Sequence, residues 1–100
     1  MRVNNINGTS KNICRCGSWL KHWGRYSGQA LYKFCSVKFC QQNAEVGAHV
    51  QIVNSYNSNW YIIPLCKAHN AEKKLLDIGD GIKPVSANIS ETCGRETYLG

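Results

Sequence analysis

Two short ligand pairs that bracket a histidine constrain this chain more than anything else in it: Cys35-x4-Cys40, then Ala48-His49, then Cys66-Lys67-Ala68-His69. Zinc takes thiolate sulfur and imidazole nitrogen in a closed tetrahedron, and the two pairs supply four such ligands, Cys35, Cys40, Cys66 and His69. The histidine in the second pair favours metal over a disulfide, which a histidine cannot join. Between the pairs, residues 44–53 alternate. Val46, Ala48, Val50 and Ile52 share one face and Glu45, Gly47, His49 and Gln51 the other, so the pattern predicts a strand with His49 turned away from the apolar side. Residues 54–59 are turn formers, and Trp60 to Leu65 reads as a second strand with Pro64 at its exit. Beyond Cys66, the residues Ala68, Ala71, Leu75 and Leu76 recur on one helical face, predicting a helix to about Ile78 that Gly79-Asp80-Gly81 stops. The expected fold is α+β in a single domain: a small zinc-stabilised ββα finger over 35–78, an added N-terminal segment over 1–34 with a short aromatic helix, and a C-terminal extension over 79–100.

The flanking segments carry less. Residues 1–13 are polar and turn-rich, which predicts a loose start or a short edge strand. Ser18 is a helix N-cap, and Trp19, Leu20, Trp23 and Tyr26 recur behind it at helical spacing up to Ser27-Gly28. Core packing is the expected use of that stripe in so small a chain; the other is a platform for unpaired bases between Lys21 and Arg25. Cys14 and Cys16 have several readings that the sequence leaves open. They can join His22 or Cys93 in a second metal site, replace Cys35 or Cys40 in the first, take His49 as a further zinc ligand, or remain unliganded thiols. Val85, Ile89 and Cys93 follow a weak strand pattern, predicting a covering strand or loop.

The order of two cysteines, a histidine ending a strand, and Leu65-Cys66-x2-His69-Asn70 opening a helix resembles the HNH (His-Me finger, ββα-metal) nucleases. The nearest variety is the His-Asn-Asn branch, which includes junction-resolving endonucleases of the endonuclease VII type. The likeness covers about the middle third of the chain. It implies that His49 is the general base, that Asn70 is a ligand of a catalytic Mg2+ or Mn2+ beside the structural zinc, and that Asn59 or Asn57 is the middle asparagine holding the loop. The implied reaction is phosphodiester hydrolysis: His49 takes a proton from the attacking water, and the metal stabilises charge on the phosphate and the leaving oxygen. The chain departs from the family's pattern at Ala48, where an aspartate or histidine that helps hold the catalytic metal is expected. The alternative is a catalytically inactive binding module on the same scaffold, such as a phage-type inhibitor or adaptor. Its basic surface and Trp19, Trp23, Tyr56 and Trp60 would then hold nucleic acid or a protein.

Charge and size fit either reading. Twelve Lys and Arg against six Asp and Glu give a net charge of +6, favouring polyanions, nucleic acid above all and DNA by the resemblance, over cationic partners. Lys67, Lys73 and Lys74 can neutralise phosphates beside the finger or simply form a solvated face. A chain of 100 residues builds a modest core, so a structural metal meets a physical need and its binding becomes part of folding. The absence of a signal-like or membrane-length apolar run predicts a cytoplasmic protein without a membrane partner, where six cysteines point to metal or free thiols.

Overall fold

The alternation of residues 46–52 produces the middle strand of a five-stranded antiparallel sheet. The computed structural model describes residues 1–6, 16–29, 34–54, 59–72 and 74–88. In chain order the elements are β1 (Arg2–Asn5), α1 (Trp19–Ser27), β2 (Val46–Ile52), β3 (Tyr61–Leu65), α2 (Lys67–Asn70), β4 (Leu75–Asp77) and β5 (Val85–Ser86), and the strands lie in the order β4-β1-β2-β3-β5. The chain is thus α+β. β2 and β3 pair as the expected hairpin, with His49 opposite Ile62 and Ala48 opposite Ile63.

Each face of the sheet carries its own core. Ala48 and Val50 of β2, Ile63 and Leu65 of β3, and Val3 and Leu76 pack with Cys35, Cys66 and Ile78 on one face. On the other, α1 lies across β2 and β3 and buries Trp23 against Ile62 and Val85, with Trp19 and Tyr26 partly covered beside them. Full burial of Ile62 alone contributes roughly 1.5–3 kcal/mol. The helix begins and ends as its sequence predicts. Ser18 Oγ accepts from Lys21 N at 3.1 Å, and Gly28 adopts φ +72°, a conformation costly for residues with a Cβ. Trp23 Nε1 donates to the Lys83 carbonyl at 2.7 Å, satisfying the one polar atom of a fully buried ring. The aromatic stripe is therefore core.

Four expectations need correction. Of residues 1–13, residues 7–13 lie outside the described residues, and residues 2–5 are neither loose nor an edge: β1 runs between β2 and β4, pairing Val3 with Ile52 and with Leu76. The helix after Cys66 does not reach Ile78. It ends at Asn70, and Leu75–Asp77 becomes β4. Ladder bonds to β1 and the Ile78 N to Met1 O bond (2.8 Å), together with burial of Leu76 and Ile78, outweigh a helical periodicity that was only a weak local preference. Pro64 lies within β3 opposite Gly47 rather than at the strand's exit. Finally, the His49 face of β2 is not an outer face, because α1 covers it. The ββα order predicted over 35–78 is accordingly a hairpin, one helical turn and a further strand. The tail does supply a covering strand, β5, on the free edge of β3.

Candidate metal centre

The first ligand pair sits in a loop pinned from three sides. Cys35 N donates to Gln42 O at 2.8 Å and Cys40 N to Val37 O at 3.0 Å, closing the loop on itself. Ser36 N donates to Pro64 O at 2.9 Å, tying it to β3, and Lys38 N to Asp77 O at 3.0 Å, tying it to β4. The second pair straddles the junction of β3 and α2. Cys66 is the N-cap of that turn, and its Sγ accepts from His69 N at 3.5 Å. Strand β3 thus carries Cys66 to the place where the same strand anchors the Cys35 loop.

The four ligand atoms of Cys35, Cys40, Cys66 and His69 lie within 4.8 Å of one another. His69 Nδ1 is 3.5 Å from Cys35 Sγ and 3.3 Å from Cys66 Sγ. A zinc tetrahedron with bonds of about 2.3 Å to sulfur and 2.0–2.1 Å to nitrogen has sulfur–nitrogen edges of about 3.5 Å. The donor set fits zinc in chemistry and in spacing, and Cys35 and Cys66 are buried while Cys40 and His69 are half-buried. Burial pushes the Cys35 thiol up to about 11, with the Cys66 thiol beside it opposing a second negative charge. A divalent cation relieves that strain by holding the sulfurs as thiolates. Four protein ligands close the coordination shell, so zinc here would brace the fold rather than bind substrate.

The residues singled out for catalysis fall as follows among the described residues. The His49 ring is enclosed on the α1 face, with 4% of the residue exposed, edge-on to Trp19 (4.5 Å between centroids) and Trp60 (5.8 Å). Asn70 ends α2 on the cysteine-bearing face: its carbonyl accepts from Asn5 Nδ2, and Asn5 alternates with Val3 of that core. The His49 ring thus lies on the α1 face of the sheet and the Asn70 carbonyl on the cysteine-bearing face. Asn59 is exposed just ahead of β3; Asn57 and Tyr56 lie outside the described residues, as do Lys73, Cys14 and Cys93. Lys67 pairs with Glu45 and Lys74 with Glu72, each at 3.5 Å, the lysines largely exposed and the carboxylates less so.

His49 has a testable thermodynamic signature. Burial lowers its pKa from the usual 6.5, and the nearby His22 adds to the shift. Above pH 6.5 the ring is neutral in the folded and unfolded chains alike. As the pH drops below that value the unfolded chain takes up a proton first, so stability is lost until the folded-state pKa is passed. We expect a slope of up to about 1.4 kcal/mol per pH unit from this group. Urea denaturation of zinc-loaded protein between about pH 7 and pH 5, with zinc content followed in parallel, checks it. An unchanged slope in His49→Gln would refute the assignment.

Two residues that matter here carry faint sequence signals. Gly47 is a glycine inside a strand, a mark of close backbone approach. Phe39, in the loop between the first two cysteines, is 99% exposed with φ +65°. Fold and site together define a small α+β domain with a Cys3His cluster able to hold a metal ion. Protein-family models, curated proteins and solved structures offer no match to the chain.

Proposed function

We propose that this is a zinc-braced module that binds nucleic acid without cutting it. The observation that carries the reading is Phe39. A fully exposed ring stands at the tip of the Cys35–Cys40 loop on a left-handed backbone that non-glycine residues seldom adopt, next to Lys38. Backbone bonds from Ser36 to β3 and from Lys38 to β4 tie down the loop that carries the ring. The ring borders a cavity of about 300 Å³ that Lys38, Lys74 and His69 also line, together with the carboxylates of Glu72, which pairs with Lys74, and Asp77. An aromatic platform flanked by lysines suits an unpaired base stacked on the ring with its phosphates neutralised alongside, in a chain of net charge +6. The separation of His49 from Asn70 favours binding over hydrolysis, and Ala48 supplies no further metal ligand.

Fluorescence anisotropy with labelled single-stranded and duplex oligonucleotides tests this. We expect binding that weakens steeply with salt, and Phe39→Ala to lose roughly 5- to 150-fold in affinity for the single strand, the equivalent of 1–3 kcal/mol of stacking. The same mixtures are then incubated with Mg2+ or Mn2+ and examined for strand scission. Absence of binding would sink the proposal, and metal-dependent cutting abolished by His49→Ala would replace it with the nuclease reading.

A further inference from the structure

A second sulfur–imidazole contact lies on the opposite face of the sheet from the first cluster. Cys16 Sγ is 3.7 Å from His22 Nδ1, close to the 3.3 and 3.5 Å separations within the first cluster and to the edge of a zinc tetrahedron. His22 is fully buried, and its other nitrogen, Nε2, is 2.9 Å from the Ser86 carbonyl. A carbonyl only accepts, so Nε2 carries the hydrogen and the neutral ring presents its Nδ1 lone pair to Cys16. That is the arrangement of a metal-binding histidine, whose second nitrogen donates to a carbonyl that fixes tautomer and ring orientation. A burial-driven fall in the His22 pKa likewise favours the neutral, ligating form.

We propose that Cys16 and His22 are two ligands of a second zinc site. Two further thiols of the sequence, Cys14 and Cys93, lie outside the described residues. The inventory supports the site. Of six cysteines and three histidines, the first cluster uses Cys35, Cys40, Cys66 and His69, and His49 is enclosed between tryptophans. Among the described residues, Cys16 and His22 are left over from both. The site would tie Cys16, ahead of α1, to the helix, whose His22 already donates to the Ser86 carbonyl of β5. It does not rest on the nucleic-acid reading, but its count of two zinc ions includes the one held by the first cluster.

The full-length chain, refolded with Zn2+ alone, is the test. We expect two zinc ions per chain, falling to one in Cys16→Ser and in His22→Asn, with the cobalt-substituted forms of these variants losing part of the thiolate-to-cobalt charge-transfer band. A wild-type measurement guards against variants that fail to fold: cysteine alkylation mapped by peptide mass spectrometry. Protection of Cys16 that disappears when a chelator removes zinc supports the site. One zinc per chain in the wild type, two retained in both variants, or alkylation of Cys16 at a rate indifferent to zinc would overturn it.

Discussion

Cys66→Ser is expected to lose the zinc of the first cluster and with it the cooperative thermal transition of the domain. The substitution isolates the metal bond. A serine oxygen can still cap α2, as Cys66 Sγ does for His69 N, and it fits the 3% exposed site at the end of β3. What it cannot supply is a soft thiolate. Structural zinc binds zinc-finger peptides with an apparent 10–16 kcal/mol, whereas a whole small domain is stable by about 5–15 kcal/mol. Without the metal, Cys35 and Cys40 also lose the ion that joins their loop, which lies between α1 and β2 in the chain, to α2. Circular dichroism melting and zinc analysis of the purified variant check this. Zinc content and melting temperature equal to the wild type would show that the cluster is not a metal site. Cys40→Ser, at a half-exposed position of the same cluster, should behave the same way.

The ligands of that cluster were legible in the sequence because metal coordination needs specific residue types at short spacing, and such spacing survives translation into any fold that closes the loop. Helix α1 was legible for a similar local reason: Ser18 and Gly28 mark its two ends and the apolar stripe runs between them. What failed depended on remote partners. Residues 75–78 satisfy a helical and a strand pattern equally, and only the presence of β1, more than seventy positions earlier, decides for the strand. Nothing in residues 2–5 announces an interior strand, since only Val3 of the four is apolar and fully buried. The faces of β2 misled for a related reason. A glycine, a histidine and a glutamine look like an outer face, yet α1 covers part of it, and the glycine is what lets the helix come so near. Which face His49 shares, and with which elements, is a fact about remote partners that residue order does not contain.

Gly47→Ala should therefore be among the most damaging single-methyl additions to this chain. A Cβ built at Gly47 would meet the carbonyl carbon and oxygen of Trp19 and the amide nitrogen of Leu20, backbone atoms of the first turn of α1. A flexible side chain could swing aside, but a helix backbone moves only as a unit, and α1 is anchored by the buried Trp23 and its bond to Lys83 O. Overpacking in a core costs typically 1–3 kcal/mol and occasionally more; with a rigid obstacle we expect about 3 kcal/mol or above. Gly79→Ala is the matched control. Its added methyl would find only Ser36 O, at 3.5 Å, in ordinary contact, and reduced freedom of the unfolded chain should leave it neutral or up to about 1 kcal/mol more stable. Urea denaturation of both variants, monitored by tryptophan fluorescence with zinc retained, gives the comparison. The first cluster lies across the sheet from α1, so Gly47→Ala should keep that metal while the tryptophan signal shows the helix displaced. A Gly47→Ala protein as stable as the wild type would mean that α1 does not sit against β2 as described, and would take the enclosure of His49 with it.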